Sequence, residues 1–161
     1  MRRVVWIASI LSIMTSGPAF AQTAADEQIA RQFVGTWRLL TWTQRLNDGT
    51  TRPSPLASKG YLIYGDSGHM CAVLTNPEKS ADGSARPAGG ITYCARTEVH
   101  AQEGFVLHLV DVDADPTAVG TVRKRWFKFD GADRLTLRID AADAPSGVES
   151  TLVFERVRPG Q

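Results

Sequence analysis

Apolar and polar residues alternate with a period of two along most of the chain from Gly35 onward, as is typical of β-strands with one buried face. Turn-forming clusters, such as NDG at 47–49 and GDSG at 65–68, separate the alternating stretches. The pattern predicts eight strands, at about residues 36–45, 60–65, 69–75, 91–99, 105–112, 120–129, 133–139 and 150–157. Eight short strands with tight connections favour an all-β antiparallel up-and-down meander that closes into a barrel.

The segment before the strands has a different period. In AADEQIARQF, at residues 24–33, Ile29 and Phe33 fall on one side of a helix. This segment predicts a short N-terminal helix, the only helix of consequence after the first 21 residues. Two connections, 46–59 and 76–90, are long and rich in Pro, Gly, Ser and Asp. Both are candidates for a mobile lid at one mouth of the barrel.

The first 21 residues have the organisation of a secretory signal peptide. Arg2 and Arg3 precede an apolar run at 4–14, and Ala19 and Ala21 supply small residues at the cleavage site. The run is shorter than the roughly 20 residues that span a membrane. We expect cleavage after Ala21 and a periplasmic or secreted protein, with an uncleaved anchor as the alternative. The expected parts are a signal peptide (1–21), a helix with its lead-in (22–34) and a barrel domain (35–158).

The balance of acidic and basic residues limits the kinds of partner that we expect. Loss of Arg2 and Arg3 leaves 16 basic and 17 acidic side chains. The one basic run, at 123–125, lies in a predicted strand, where alternate residues face opposite ways. A nucleic-acid partner or stable membrane insertion of the mature chain is therefore not expected. The sequence leaves the oligomeric state open.

The chain has two cysteines, Cys71 and Cys94, which enter an oxidising compartment if the chain is exported. They have neither CxxC spacing nor a nearby set of ligands, so we expect no metal and no cofactor. Both fall on the outward face of consecutive predicted strands. A register that pairs them sets His69 opposite Arg96, and we predict a disulfide. The alternative is two separate small hydrophobic residues.

Five segments together resemble the lipocalin-like domain family of bacterial and fungal proteins: GTWRLLTW, GYLIYGDSGHM, VLHLVDVDADPTAVGT, DRLTLR and LVFER. The resemblance covers residues 35–157 and implies an eight-stranded barrel with a central cavity. It implies little about activity, because the fold hosts carriers and enzymes alike. The chain departs from its relatives at Cys94, Thr97 and Ala118, where they often carry a small residue, a tyrosine and an aromatic residue. A cavity of different shape is expected.

Three residues are assigned a structural role. Gly35 lets the chain turn sharply from helix to strand. Trp37 is expected to close the floor of the barrel with its indole ring. In lipocalins an arginine of the last strand stacks on that ring, and the resemblance assigns this role to Arg156. The alternative is an ordinary exposed arginine at a strand end.

The GDSG hairpin sets which side chains face the interior, because a three-residue loop pairs Tyr64 with Met70. Extending the alternation to later strands places a few polar groups on an apolar wall. The predicted cavity residues are Tyr64, Met70, Tyr93, His108, Arg125 and Phe127. Such a lining is typical of a small-molecule pocket. The alternative is a packed core in which His108 and Arg125 are satisfied internally.

The function that this lining favours is binding of a small, mostly apolar molecule, with or without an acid group that Arg125 would hold. A second hypothesis is an isomerase or cyclase in which Arg125 and Tyr93 stabilise an enolate-like charge. No catalytic residue is assigned, because no nucleophile or orienting carboxylate is placed beside His108. A third class, a protein-binding module, would use the outward residues Leu107, Leu109 and Trp126.

Overall fold

The computed structural model describes residues 18–76, 90–144, 146–158 and 160, with side chains from residue 24 onward. One helix precedes a series of nine strands, and two short 3-10 helices, Pro116–Ala118 and Ala141–Asp143, lie in connections. The elements are α1 (Pro18–Phe33), β1 (Gly35–Arg45), β2 (Thr51–Pro53), β3 (Lys59–Tyr64), β4 (His69–Thr75), β5 (Gly90–His100), β6 (Phe105–Asp113), β7 (Val122–Asp130), β8 (Arg134–Ile139) and β9 (Glu149–Arg156).

All strand pairs are antiparallel, and each long strand pairs with the next along the chain. The sheet closes because β1 also pairs with β9, from Trp37 opposite Arg156 to Arg45 opposite Glu149. The eight long strands therefore form a closed barrel, which confirms the predicted fold class. The remaining strand, β2, is short. It lies beside the second half of β1, because β3 pairs only with the first four residues of β1.

The connection at 46–59 is not a free lid. Thr51–Pro53 is paired as β2, and Ser54 and Ala57 are buried. The Ser54 amide donates to the Trp42 carbonyl oxygen (2.8 Å), and the Ser58 amide donates to the Thr75 carbonyl oxygen (3.0 Å). The lid prediction is therefore wrong for residues 51–58. The second predicted lid lies almost wholly outside the described residues.

Helix α1 contains the predicted helix 24–33 and begins earlier, at Pro18. It lies over one end of the barrel, where Asp26 Oδ1 accepts a hydrogen bond from the Ala101 amide (2.7 Å). Its last residue, Phe33, is 2% exposed. The Phe33 ring packs at centroid distances of 4.9–5.2 Å on Tyr64, Phe127 and Phe129. The helix end therefore plugs this end of the barrel.

The Trp37 indole lies just inside the same end and is fully buried. Its Nε1 donates to the Phe33 carbonyl oxygen (2.8 Å), and the Arg156 Cζ lies 4.1 Å from the ring centroid. The Arg156 guanidinium donates to three carbonyl oxygens, at 2.6–2.8 Å, those of Gln32, Val34 and Ala132. Arg156 therefore ties the helix end to the barrel rim and is not an ordinary exposed arginine.

Gly35 makes this arrangement possible in two ways. Its φ of +134° lies in a region that residues with a Cβ rarely adopt. A Cβ at this position would also lie 2.5 Å from Arg156 Nη1. Gly35 is thus needed both for the turn out of α1 and for the close approach of the guanidinium.

Cys71 and Cys94 form a disulfide, as predicted. They lie directly opposite each other in β4 and β5, with a Cα–Cα distance of 4.1 Å. The predicted register is confirmed, because His69 is opposite Arg96 in the same pair of strands. The bond lies on the outer face of the barrel, since the flanking residues Ala72 and Tyr93 are buried inside.

The outward residues Leu107, Leu109 and Trp126 do not form an exposed apolar patch, because all three are half-buried. Trp126 is covered by cationic side chains, with Lys124 Nζ 4.1 Å and Arg138 Cζ 5.5 Å from its ring centroid. Long basic side chains cover apolar surface with their stems. The hypothesis of a protein-binding module that uses these residues stays untested.

Candidate functional site

The barrel encloses a small cavity, with a volume of about 20 Å³, in its middle layer. Its wall is mostly aliphatic and aromatic, with polar atoms from four residues only: Trp42, Tyr93, His108 and Arg125. A space of this size holds about one water molecule. The interior is thus nearly filled by its own side chains.

His108 is the centre of the polar cluster and is fully buried. Its Nδ1 lies 2.7 Å from Tyr93 Oη, and its Nε2 lies 3.0 Å from Tyr64 Oη. Both ring nitrogens are therefore engaged by tyrosine hydroxyls, which fix the plane of the imidazole. This part of the packed-core alternative is correct: His108 is satisfied within the barrel.

Burial lowers the pKa of His108 well below its ordinary value, and the nearby Arg125 and Arg123 guanidinium groups lower it further. Burial raises the pKa of Tyr64 well above its ordinary value, and Tyr93 adds to that rise while Arg125 opposes it. At neutral pH the imidazole of His108 and the phenol of Tyr64 are therefore both neutral.

A proton count in this cluster leaves one donor over. The neutral imidazole supplies one N–H and the two phenols supply two O–H groups, which makes three donors. The two contacts to His108 use only two of these protons. Whichever ring nitrogen carries the proton, the tyrosine that accepts from it keeps its own O–H proton without a partner in the cluster. The proton faces the inner cavity when Nδ1 carries the imidazole proton, because Tyr93 lines that cavity and Tyr64 does not.

Arg125 adds an uncompensated positive charge beside the cluster. It is 7% exposed, and its Nη1 donates to the Lys124 carbonyl oxygen (2.8 Å). Among the described residues, no carboxylate lies within ion-pair distance of its guanidinium. Asp113, whose side chain is only 9% exposed, is paired with Arg123 (2.6 Å). A buried guanidinium without an anion is costly unless a ligand supplies one.

Trp42 provides a further donor. Its side chain is 5% exposed, and its Nε1 is the one fully buried side-chain polar atom of the described chain without a hydrogen-bond partner. A buried N–H that is left unpaired costs about 1–3 kcal/mol. The indole, Arg125, Tyr93 and His108 line the same cavity. Every unsatisfied polar group in that cavity is a donor.

The structure separates the six predicted cavity residues into three groups. Tyr93, His108 and Arg125 line the inner cavity. Tyr64 reaches His108 with its hydroxyl while its ring faces a second pocket beneath α1. Met70 and Phe127 line neither of these spaces; Met70 is buried, and Phe127 packs on Phe33 in the plug. The ligand-binding role stays a prediction for all six residues.

The sequence interpretation missed Trp42 and the ion pair of Arg123 with Asp113. Strict alternation from Trp37 turns Trp42 outward, but an irregularity in the pairing of β1 with β9, between Leu39 and Thr41, reverses the alternation. A similar irregularity between Cys94 and Ala95 brings Asp113 opposite Tyr93. The alternation that placed Arg125 inside also places Arg123 on the inner face of the same strand. The sequence therefore contained a signal for a second inward arginine.

The depressed pKa of His108 predicts a pH-dependent stability. The unfolded chain takes up a proton on this residue near pH 6.5, whereas the folded barrel resists protonation until a lower pH. The free energy of unfolding should therefore fall as pH decreases below 6.5, by up to about 1.4 kcal/mol per pH unit from this residue. Urea melts of the wild type and of His108→Gln between pH 7.5 and 5 measure the difference. Equal slopes for the two proteins would contradict the prediction.

The described part of the chain contains neither a candidate metal site nor a candidate membrane-spanning helix. It contains no cluster of three or more histidine, cysteine, aspartate or glutamate side chains that could hold a metal ion. No helix within residues 18–76, 90–144, 146–158 and 160 has the length and the apolar character needed to cross a membrane.

Comparison with known proteins assigns the family. The model of the lipocalin-like domain matches residues 34–157, which span the barrel from β1 to the end of β9. No curated protein matches the chain. A redesigned β-barrel is similar in structure, with 13% identity, a TM-score of 0.46 and coverage of 80% of this chain and 95% of its own. Another, mFAP1 bound to DFHBI, has 17% identity, a TM-score of 0.42 and coverage of 79% and 97%. The chain belongs to the lipocalin-like domain family.

Proposed function

We propose that this protein binds a small, mostly apolar molecule that carries a carboxylate, and that the acid group lies in the inner cavity of the barrel. The observation that carries the proposal is the one-sided excess of donors there. Among the described residues Arg125 has no carboxylate partner and the Trp42 Nε1–H has no acceptor, and Tyr93 adds a free O–H when His108 donates from Nδ1. A carboxylate offers about four acceptor sites and a negative charge, which fits this excess.

The rest of the cavity wall supports an apolar body for the ligand. It is built from leucine, isoleucine and phenylalanine side chains of five strands, namely Leu62, Leu74, Ile91, Leu137, Ile139, Leu152 and Phe154. Burial of apolar ligand surface against such a wall contributes affinity, while the few polar groups set orientation. The end of the barrel opposite α1 is the route of entry, because Phe33 and Trp37 are buried between the helix and the barrel interior.

The size of the cavity adds a condition. Pockets for drug-sized ligands have volumes of about 300 Å³ or more, whereas the inner cavity has about 20 Å³. Entry of a whole ligand therefore requires the side chains of the wall to move apart. Large aliphatic side chains can change rotamer more readily than the strands can separate, so we expect the change to be local.

The test compares straight-chain carboxylates, from butanoate to decanoate, with the alcohols of equal length in calorimetric titrations. Arg125→Met should weaken carboxylate binding at least tenfold and leave alcohol binding unchanged, because a charge-assisted hydrogen bond is lost. Its melting temperature should be unchanged or raised, because an unpaired buried charge is removed. Trp42→Phe keeps an aromatic side chain but removes the indole N–H together with the pyrrole part of the ring, and a smaller loss is expected because the charge of Arg125 remains.

Two results would contradict this proposal. Alcohols that bind the wild type as tightly as the acids would show that no anion site exists. An Arg125→Met protein with full carboxylate affinity would show that the acid group lies elsewhere. Native mass spectrometry of protein from its own host identifies the natural ligand if it is retained.

The alternative function, an isomerase or cyclase, has one observation in its favour. The Tyr64–His108–Tyr93 chain joins three groups that can pass protons between them. His108 would have to give up one of its two hydrogen bonds to act on a substrate. Incubation of a retained ligand with the purified protein separates the hypotheses: an unchanged ligand supports binding alone, and a converted ligand supports the enzyme.

We also infer that the chain is exported and cleaved after Ala21. The charged and apolar order of the first residues supports this inference, and so does the Cys71–Cys94 disulfide, because such bonds persist in oxidising compartments. The intact mass of the protein recovered from its host decides it. A mature chain that begins at Gln22 is expected, and one that retains residues 1–21 would contradict export by cleavage.

A further inference from the structure

A second pocket lies between the end of helix α1 and the rim of the barrel. Its volume is about 140 Å³, which is much larger than the inner cavity. The wall is formed by residues of the helix and of strands β3, β5 and β6, chiefly Ala30, Phe33, Tyr64, Thr97, Val99 and Val106. The pocket exists because α1 spans the barrel end without filling the space over β5.

The side chains of the wall named above direct no unpaired polar group into the pocket. The Thr97 hydroxyl donates to the Gly68 carbonyl oxygen (2.9 Å), and the Tyr64 hydroxyl contacts His108 on the far side of its ring. The charged residues that border the pocket, Arg31 and Asp66, are exposed at its rim. Burial of an ion against such a wall would be costly, so the fitting guest is uncharged.

We propose that this pocket binds an uncharged molecule with a single aromatic ring. An apolar cavity of about 150 Å³ takes up benzene in another protein, and the pocket here has nearly that volume. Two rings form part of its wall: Phe33 and Tyr64, whose centroids lie 5.0 Å apart at an interplanar angle of 40°. Inclined rings present both a face and an edge, which are the surfaces that an aromatic guest prefers to contact.

This site goes beyond the proposed carboxylate function and has a different chemistry. The inner cavity has an excess of donors and a positive charge, whereas the pocket beneath α1 is apolar and neutral. Tyr64 separates them, because its ring faces the pocket and its hydroxyl faces His108. The two sites can therefore be tested independently with different probes.

The test uses fluorobenzene, observed by ¹⁹F NMR, together with the methyl signals of Ala30, Val99 and Val106. Titration into the wild-type protein should give saturable binding and shifts of the methyl signals of these three residues. Ala30→Leu places a larger side chain in the pocket and should weaken fluorobenzene binding at least tenfold. Ala24→Leu, on the exposed side of the same helix, should leave the affinity unchanged.

Two further variants keep the proposal falsifiable. Val99→Phe fills the pocket from the barrel side. It replaces Ala30→Leu as the filling variant if Ala30→Leu does not fold. Arg125→Met, which changes the inner cavity, should leave fluorobenzene binding intact. The proposal is overturned if the wild type shows no saturable binding, if both filling variants bind fluorobenzene normally, or if Arg125→Met abolishes the binding. Failure of carboxylate binding alone leaves it unaffected.

Discussion

Replacement of Trp37 with alanine should lower the free energy of unfolding by about 3–5 kcal/mol, which is the usual cost of removing a large aromatic side chain from a core. The indole is fully buried and contacts both the helix end and the barrel floor. Its loss removes the surface on which the Arg156 guanidinium stacks, at 4.1 Å. The cavity left behind cannot collapse easily, because β1 is paired on both sides.

Trp126→Ala is the matched control for this prediction, since it removes an indole from the outer face of the barrel. Trp126 is half-buried, and its Nε1 donates to Asp140 Oδ2 (2.8 Å). We expect a smaller cost, of about 1–2 kcal/mol, because solvent and the neighbouring basic side chains can reoccupy the space. Urea melts of the three proteins measure both values. Equal losses for the two variants, or a loss below about 1 kcal/mol at Trp37, would show that the indole does not hold the barrel end.

The face of each strand was predictable wherever a turn with known geometry lay nearby. The GDSG hairpin fixed the alternation of β3 and β4, and Tyr64 and Met70 are indeed buried. The reluctance to bury Asp111 chose the correct face of β6, because His108 lies inside and Asp111 is exposed. These inferences needed only a period of two and one anchor in each strand.

The composition of the site was less predictable, because it depends on where the alternation breaks. One irregularity in β1 decides whether Trp42 faces the interior or the solvent, and no turn residue marks it. The tyrosine contacts to His108 depend on side chains from three strands that meet only in the closed barrel. Hydrogen-bond counts of this kind require coordinates, even when the inward residues are known.

The volume of the interior could not be read from the sequence for a related reason. An eight-stranded barrel either packs solid or holds one small ligand, and the outcome depends on how side chains from different strands share the space. Here Trp42, Phe154 and several leucines reduce the inner cavity to about 20 Å³. The same chain leaves about 140 Å³ beneath α1, where a helix meets a strand rim with small side chains.

Removal of the Cys71–Cys94 disulfide should lower the free energy of unfolding by about 3 kcal/mol, as the chain-entropy relation gives for a loop of this size. The sequence separation of the two cysteines is 23 residues. Both cysteines lie on the outer face and are half-buried, so their replacement opens no cavity in the core. The effect should therefore come mainly from the freedom that the unfolded chain regains.

The measurement compares urea melts of the oxidised protein, the protein reduced with dithiothreitol, and the double variant Cys71→Ala with Cys94→Ala. The reduced wild type and the double variant should unfold at similar urea concentrations, both below that of the oxidised protein. Dithiothreitol should not change the double variant, which controls for effects of the reductant elsewhere. The native register of β4 and β5 should survive reduction, because Met70 and Ala72 on one strand still pack beside Tyr93 and Ala95 on the other. Two free thiols per chain in unreduced material from the host, or equal midpoints for all three proteins, would contradict a stabilising disulfide.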